Sequence, residues 1–239
     1  MQAQRPVARK PAQIAVIAPR DPVSVPSAVF WSETSGGVRP SIGETELDDW
    51  HYNRRAVSIG TLFGLLEDRS QDDGVRNEVM NILRTRAESR DEFIVRSLVR
   101  ANDRHETVRM RDFFIQHLGL VYASMEPDAQ RQTIGEWLAA CVGDGARDLP
   151  LRRESLFALG RDPRGSYNDM VHDTVQKILR GDVQWQGFGD VAIRLAVELD
   201  WQEFQMDIMT CSSSGDAATR LQARLALANF AERSSRNVP

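Results

Sequence analysis

The sequence predicts an all-α protein, with about ten helices stacked as antiparallel pairs behind an extended, proline-rich N-terminal arm. Three observations support this prediction. From Glu46 onward, apolar residues recur at helical spacing. Six of the ten prolines lie within residues 1–40, and no alternating apolar–polar run follows residue 45. We therefore divide the chain into an arm and linker, residues 1–45, and a helical repeat-like domain, residues 46–239.

Ten amphipathic segments separated by short Asp, Gly, Ser or Pro connections give the predicted helices. The first opens with the acidic residues Asp48 and Asp49, which suit a helix N-terminus, and the fifth has Pro127 near its start. In order, the segments read ELDDWHYNRRAVSIGTLFGLLEDRS, DDGVRNEVMNILRTRAES, RDEFIVRSLVRA, TVRMRDFFIQHLGLVYASM, PDAQRQTIGEWLAACVG, PLRRESLFALG, YNDMVHDTVQKILRG, QGFGDVAIRLAVELD, WQEFQMDIMTC and AATRLQARLALANFAERSS.

The composition is that of an ordinary globular domain, with 41% hydrophobic and 27% charged residues in a chain of 239. No apolar run approaches the roughly 20 residues of a membrane span. The N-terminal apolar patch, residues 14–18, is too short for a secretory signal. We expect a cytoplasmic protein, or one held within an intracellular assembly or virion. Cys141 and Cys211 lie in apolar helical text and are expected to be buried free thiols.

Charge is distributed unevenly along the chain. The first 20 residues contain Arg5, Arg9, Lys10 and Arg20 and no acidic residue. The whole chain carries −4, so the remainder carries −8 (−4 − 4). These four residues form a candidate partner-binding arm, whose target would be nucleic acid, an acidic neighbouring subunit or the chain's own body. A solvated tail without a partner is the alternative.

One short motif recurs along the helical part. The segment PLRRESLFALGRDPRG supplies the template: an apolar residue, arginine, two variable residues, small and apolar positions, then Leu-Gly. Copies begin at Val75, Met110, Leu151 and Val191, at intervals of 35, 41 and 40 residues, and a weak copy begins 30 residues later at Leu221. The motif residues that we single out are Arg76, Arg111, Arg152, Gly119 and Gly160.

This motif resembles the second helix of HEAT and HEAT-like repeats. The resemblance covers roughly residues 47–233, about five helix pairs. It implies an α-solenoid in which neighbouring pairs bury each other's apolar faces, with the motif arginines exposed or paired along a ridge. The small residues Ala158 and Gly160 are expected to allow close helix crossings. An irregular helical bundle is the alternative architecture.

No constellation for chemistry stands out, so we predict no enzyme, catalytic residue, cofactor or metal site. The four histidines form no His-x-x-x-His pair, and His117 is expected to pack between helices or to lie at a helix end. One enzymatic alternative is a HEAT-like DNA glycosylase, with Trp137, Glu136, Arg152 and Arg153 gathered on one face. A pocket with converging carboxylates or a perturbed histidine would favour an enzyme.

The main functional hypothesis is therefore a non-enzymatic helical-repeat scaffold or adaptor that binds protein partners through an extended surface. The second hypothesis is a structural subunit of a capsid, nucleocapsid or filament. In that case the N-terminal arm would contact neighbouring subunits or nucleic acid.

Overall fold

The computed structural model describes residues 57–236, which contain ten α-helices and no strand. The predicted all-α class is confirmed. The predicted arm, with Arg5, Arg9, Lys10 and Arg20, and the beginning of the first predicted helix lie outside the described residues. The helices are α1 (Ile59–Glu67), α2 (Asp73–Thr85), α3 (Arg90–Asn102), α4 (Val108–Ser124), α5 (Ala129–Gly143), α6 (Leu149–Gly160), α7 (Asn168–Leu179), α8 (Gly189–Glu198), α9 (Gln205–Ser214) and α10 (Ala217–Arg236).

The helices form a stack of five consecutive pairs. Each odd-numbered helix packs against the even-numbered helix that follows it, and short connections make the two antiparallel. The even helices also pack side by side in the order α2, α4, α6, α8 and α10. We call these two sets the odd-helix layer and the even-helix layer. Each pair thus covers apolar surface of its neighbour, as in stacked repeat proteins.

Local sequence signals set where several helices begin. The side chains of Ser58, Thr107 and Asp128 accept hydrogen bonds from backbone N–H groups in the first turns of α1, α4 and α5. Pro150 lies in the first turn of α6, where a missing N–H leaves no helical hydrogen bond unmade. The motif leucines Leu151, Leu156 and Leu159 are fully buried behind these starts.

Two motif glycines allow neighbouring even helices to approach closely. A Cβ placed on Gly119 of α4 would lie 2.6 Å from Cβ and 3.3 Å from Cα of Ala158 on α6. A Cβ on Gly160 of α6 would overlap Leu195 of α8. The same motif position therefore provides the close contact at two successive junctions.

The weak fifth copy of the motif, as read from the sequence, is two residues out of register with the buried face of α10. Leu221 and Leu225, which it assigns to the core, are 58% and 57% exposed, whereas Ala223, Ala226 and Phe230 are buried. Helix α10 begins after Asp216, so the position equivalent to Leu151 is Thr219. The sequence pattern favours the two leucines as core residues because they are larger and more apolar than the alanines beside them, but they lie on the outer surface.

We predict that Gly119→Ala lowers the free energy of unfolding by about 1–3 kcal/mol, because its methyl group must displace the α6 backbone at Ala158. The matched control is Gly143→Ala at the end of α5, where an added Cβ meets no atom within 4 Å. The control should keep or slightly raise stability in guanidinium denaturation. Equal stabilities for the two variants would contradict the close α4–α6 contact.

Candidate functional site

The motif arginine of α2 joins three chain segments. Its Nε donates a hydrogen bond to the Leu66 carbonyl at the end of α1, at 2.8 Å. Its Nη1 and Nη2 donate to the two carboxylate oxygens of Glu106, just before α4, at 2.9 and 2.8 Å. Arg76 and Glu106 are both buried. One guanidinium group therefore caps a helix C-terminus and links the first pair of helices to the second.

Arg111 repeats this arrangement one pair later. Its Nε donates to the Ala101 carbonyl in α3 at 3.2 Å, and its Nη1 donates to Asp148 before α6 at 2.7 Å. Both arginines are the fourth residue after the helix N-cap. Of the two expected arrangements, exposed or paired, these two arginines are paired, because each guanidinium group lies between two successive helix pairs and binds their polar groups.

At the third junction two adjacent arginines divide these contacts. Arg152 is in the motif position, and its Nε donates to the Val142 carbonyl in α5 at 3.0 Å. The ion pair to the next even helix is made instead by Arg153, which binds Asp190 of α8. The Cζ of Arg152 lies 5.2 Å from the ring centre of Trp185 and 5.1 Å from that of Phe188. The Arg-Arg pair in PLRRES thus has two separate structural roles.

Sequence reasoning missed a similar bridge on the opposite edge of the stack. Arg131 of α5 donates from Nε to the Tyr122 carbonyl at 3.2 Å and from Nη2 to Asp162 at 2.6 Å. Asp162, in the turn after α6, also accepts from the Tyr122 hydroxyl at 3.1 Å. Arg131 belongs to no copy of the motif. The available signal was Asp162 itself, in the Asp-Pro-Arg-Gly turn that ends the template segment.

Two neighbouring cavities, which share one lining residue, lie along the even-helix layer. The first part of this surface, about 380 Å³, lies over α4, α6 and α8, and the second part, about 210 Å³, lies between α8 and α10. Arg194 lines both parts. We call this the even-helix groove; its main lining residues are Gln116, Leu120, Ala123, Glu154, Phe157, Arg161, Arg194, Val197, Gln222, Leu225 and Asn229.

Beside the apolar surface of the groove lie two carboxyl groups whose pKa values are raised. Burial, together with the nearby negative charge of Asp112, raises the pKa of Glu154 to about 7. Burial likewise raises the pKa of Asp112 to about 6 against the opposing effects of Gln116 and Arg153. Raised pKa values of this kind are common where a surface is built to bind or react. On the same face, the Arg194 guanidinium lies 4.2 Å from the ring centre of Phe157.

The histidine and the two cysteines considered in the sequence analysis are buried between helices. His117 is buried beside Asn77, with Nε2 and Oδ1 3.0 Å apart, and burial lowers its pKa to about 3. This confirms its predicted packing position. Cys141 and Cys211 are free and buried, as expected, and burial raises the pKa of both thiols.

The four residues considered for a glycosylase each have other partners in the structure. Trp137 contacts Arg147, and Glu136 accepts a hydrogen bond from Gln132 on its own helix. Arg152 lies against Trp185, while Arg153 binds Asp190. Within residues 57–236, no group of three or more His, Cys, Asp and Glu side chains is arranged to hold a metal ion.

Comparison with known proteins gives no match: no family model, no curated protein and no solved structure resembles the chain significantly. Among the described helices, none is long and apolar enough to cross a membrane.

We predict that Glu106→Gln lowers stability by about 3–5 kcal/mol at pH 7, because Arg76 then keeps a buried charge without a carboxylate. Burial alone would raise the pKa of Glu106, but the hydrogen bonds and charge of Arg76, with Arg100 and Arg69, hold it below its ordinary value. The ionised carboxylate therefore stabilises the fold fully above about pH 4.3, the pKa expected in the unfolded chain, and this contribution is lost as pH falls through the lower folded value.

Denaturation at pH 7 and below pH 4 checks this prediction, and the difference from wild type should shrink at the lower pH. Glu92→Gln is the matched control, since it removes an exposed carboxylate paired with Arg96 on the same helix. That change should cost at most about 0.5 kcal/mol. A Glu106 variant as stable as the Glu92 variant at pH 7 would rule out the buried bridge.

Proposed function

We propose that the chain is a non-enzymatic helical-repeat scaffold that binds a protein partner along the even-helix groove. The observation that supports this most directly is that two neighbouring cavities, which share Arg194, are lined by even helices from Leu120 on α4 to Leu225 on α10. Both leucines are large apolar residues exposed to solvent, at 41% and 57%. An amphipathic protein segment would cover them and place polar groups beside Glu154 and Arg194.

Binding accounts for the groove better than catalysis does. The carboxyl groups of Asp112 and Glu154 have raised pKa values, as the groups used in acid–base catalysis often do. The part of the groove that contains Glu154 is, however, an open surface lined by no serine, cysteine or histidine. Two of its arginines, Arg161 and Arg194, lie over the Phe157 ring, which gives a mixed apolar and charged surface typical of protein interfaces. The resemblance to HEAT-like repeats, itself still a prediction, favours the same function.

The test is affinity capture from the source organism with the full-length chain, followed by mass spectrometry. We expect the combined change Leu120→Glu and Leu225→Glu to reduce captured partners at least tenfold, because it puts two charges into the apolar part of the groove. The matched control is Val99→Glu with Met209→Glu, at residues 64% and 49% exposed on the odd-helix layer. The control should retain the partners. Retention by the groove variant, or loss only with the control, would contradict the proposed binding face.

The second candidate is a structural subunit that uses the arm of residues 1–45. The observation that favours it is charge: residues 1–20 carry +4, whereas the rest of the chain carries −8. Such an arm is attracted to an acidic neighbouring subunit or to nucleic acid.

For this candidate, we predict that the full chain forms oligomers in light scattering, or gains mass when RNA is added. Changing Arg5, Arg9, Lys10 and Arg20 to glutamate should abolish either effect, because it reverses the charge of the arm. A wild-type chain that stays monomeric with and without RNA would exclude the structural-subunit hypothesis.

A further inference from the structure

Arg152 differs from the equivalent arginines of the preceding pairs in what its guanidinium group binds. In Arg76 and Arg111, the Nη groups bind the carboxylates of Glu106 and Asp148. The Nη groups of Arg152 form no hydrogen bond or ion pair within residues 57–236, and the residue is partly exposed. Its side chain is nevertheless fixed at Nε by the Val142 carbonyl.

Arg152 does not make the ion pair to the next even helix because the neighbouring arginine makes it. Arg153 binds Asp190 across the α6–α8 junction, with the same separation of 37 residues as Arg111 and Asp148. The link between successive pairs is thus complete without Arg152. Glu106 and Asp148 lie at the starts of α4 and α6. At the start of α8, the N-cap residue is Phe188 rather than an acid.

The surroundings hold the free guanidinium group ready for a ligand. The rings of Trp185 and Phe188 lie edge to face, 5.3 Å apart, and Arg152 lies over both. Aromatic contact of this kind favours a cation and restricts its motion. The buried indole N–H of Trp185 also has no acceptor among the described residues. Leu149, whose side chain lies against Gly187 in the loop after Trp185, is 38% exposed, and Val183, two residues before Trp185, is 84% exposed.

We propose that Arg152 and Trp185 form a binding site for a carboxylate side chain of an acidic segment in a protein partner. The carboxylate would provide Arg152 with the charged partner that Glu106 and Asp148 provide for the equivalent arginines at the two preceding junctions. A planar guanidinium group binds a carboxylate through two parallel hydrogen bonds, and Leu149 and Val183 offer apolar contacts beside it. This site lies at the edge where α6 begins, so it is separate from the even-helix groove and does not depend on it.

A carboxylate is favoured over a phosphate by the charge of the site. Of the two adjacent arginines, Arg152 alone has no carboxylate partner among residues 57–236, since Arg153 binds Asp190. The two equivalent guanidinium groups in this chain both bind carboxylates. Phosphate sites generally gather more than one positive charge or several backbone N–H groups.

The experiment follows the five indole N–H signals of the ¹⁵N-labelled full-length chain by NMR, with Trp185→Phe identifying the Trp185 signal. The ligands are a blocked hexaglutamate peptide, a blocked hexaglutamine peptide and inorganic phosphate, each at constant ionic strength. We expect hexaglutamate to shift the Trp185 signal saturably while the Trp137 and Trp201 signals stay in place. Hexaglutamine and phosphate should leave the Trp185 signal unchanged.

Variants then test whether Arg152 provides the binding. Arg152→Gln should weaken hexaglutamate binding at least tenfold, and Arg152→Lys should give an intermediate affinity, because it keeps the charge but loses the two-pronged geometry. Arg104→Gln is the matched control, since Arg104 is an exposed arginine outside the even-helix groove, and this variant should bind as wild type. Unchanged Trp137 and Trp201 signals establish that each variant is folded. A shift caused by phosphate alone, no shift with hexaglutamate, or equal affinity in Arg152→Gln would overturn the proposal.

Discussion

A guanidinium group inserted between helix ends is the interaction on which the described stack depends. The last carbonyl groups of an α-helix have no partner within the helix, and the helix dipole makes that end negative. Arg76, Arg111 and Arg152 each place Nε on such a carbonyl of the preceding odd helix. An arginine can do this while its Nη groups bind another segment, because its donors point in several fixed directions. Lysine has a single ammonium group and could not hold two helix pairs in this geometry.

The stack is regular where one arginine makes both contacts, and it changes where two arginines share them. At Arg76 and Arg111, the cap and the ion pair belong to the same side chain. At the next junction, Arg153 takes the ion pair and Arg152 keeps the cap, which leaves a fixed, partly exposed cation at the edge of the molecule. The same junction brings Gly160 against Leu195, so close packing is maintained although the polar link has moved by one residue. Repetition therefore provides the fold, and the departure from repetition provides a candidate binding group.

The helical class could be predicted because apolar periodicity is a local property, and the motif drew attention to Arg111 and Gly119. Their partners could not be predicted, since Asp148 and Ala158 are distant in sequence and meet these residues only after stacking. Arg131 was missed for a related reason: it bridges through Asp162, but no repeated pattern marks it. The groove also escaped prediction. It combines residues of four helices, and the raised pKa of Glu154 arises from burial and from Asp112 on another helix.

The role of the arginines in holding the helix pairs together is tested most directly by proton exchange at their Nε–H groups, observed by NMR in a chain labelled with ¹⁵N-arginine. A hydrogen bond from Nε to a helix-terminal carbonyl slows exchange of that proton with water. We expect slowly exchanging Nε–H signals for Arg76, Arg111, Arg131 and Arg152, assigned by replacing each in turn, and rapid exchange for the exposed Arg161. Exchange at all four positions as fast as at Arg161 would contradict the claim that these arginines hold the helix pairs together.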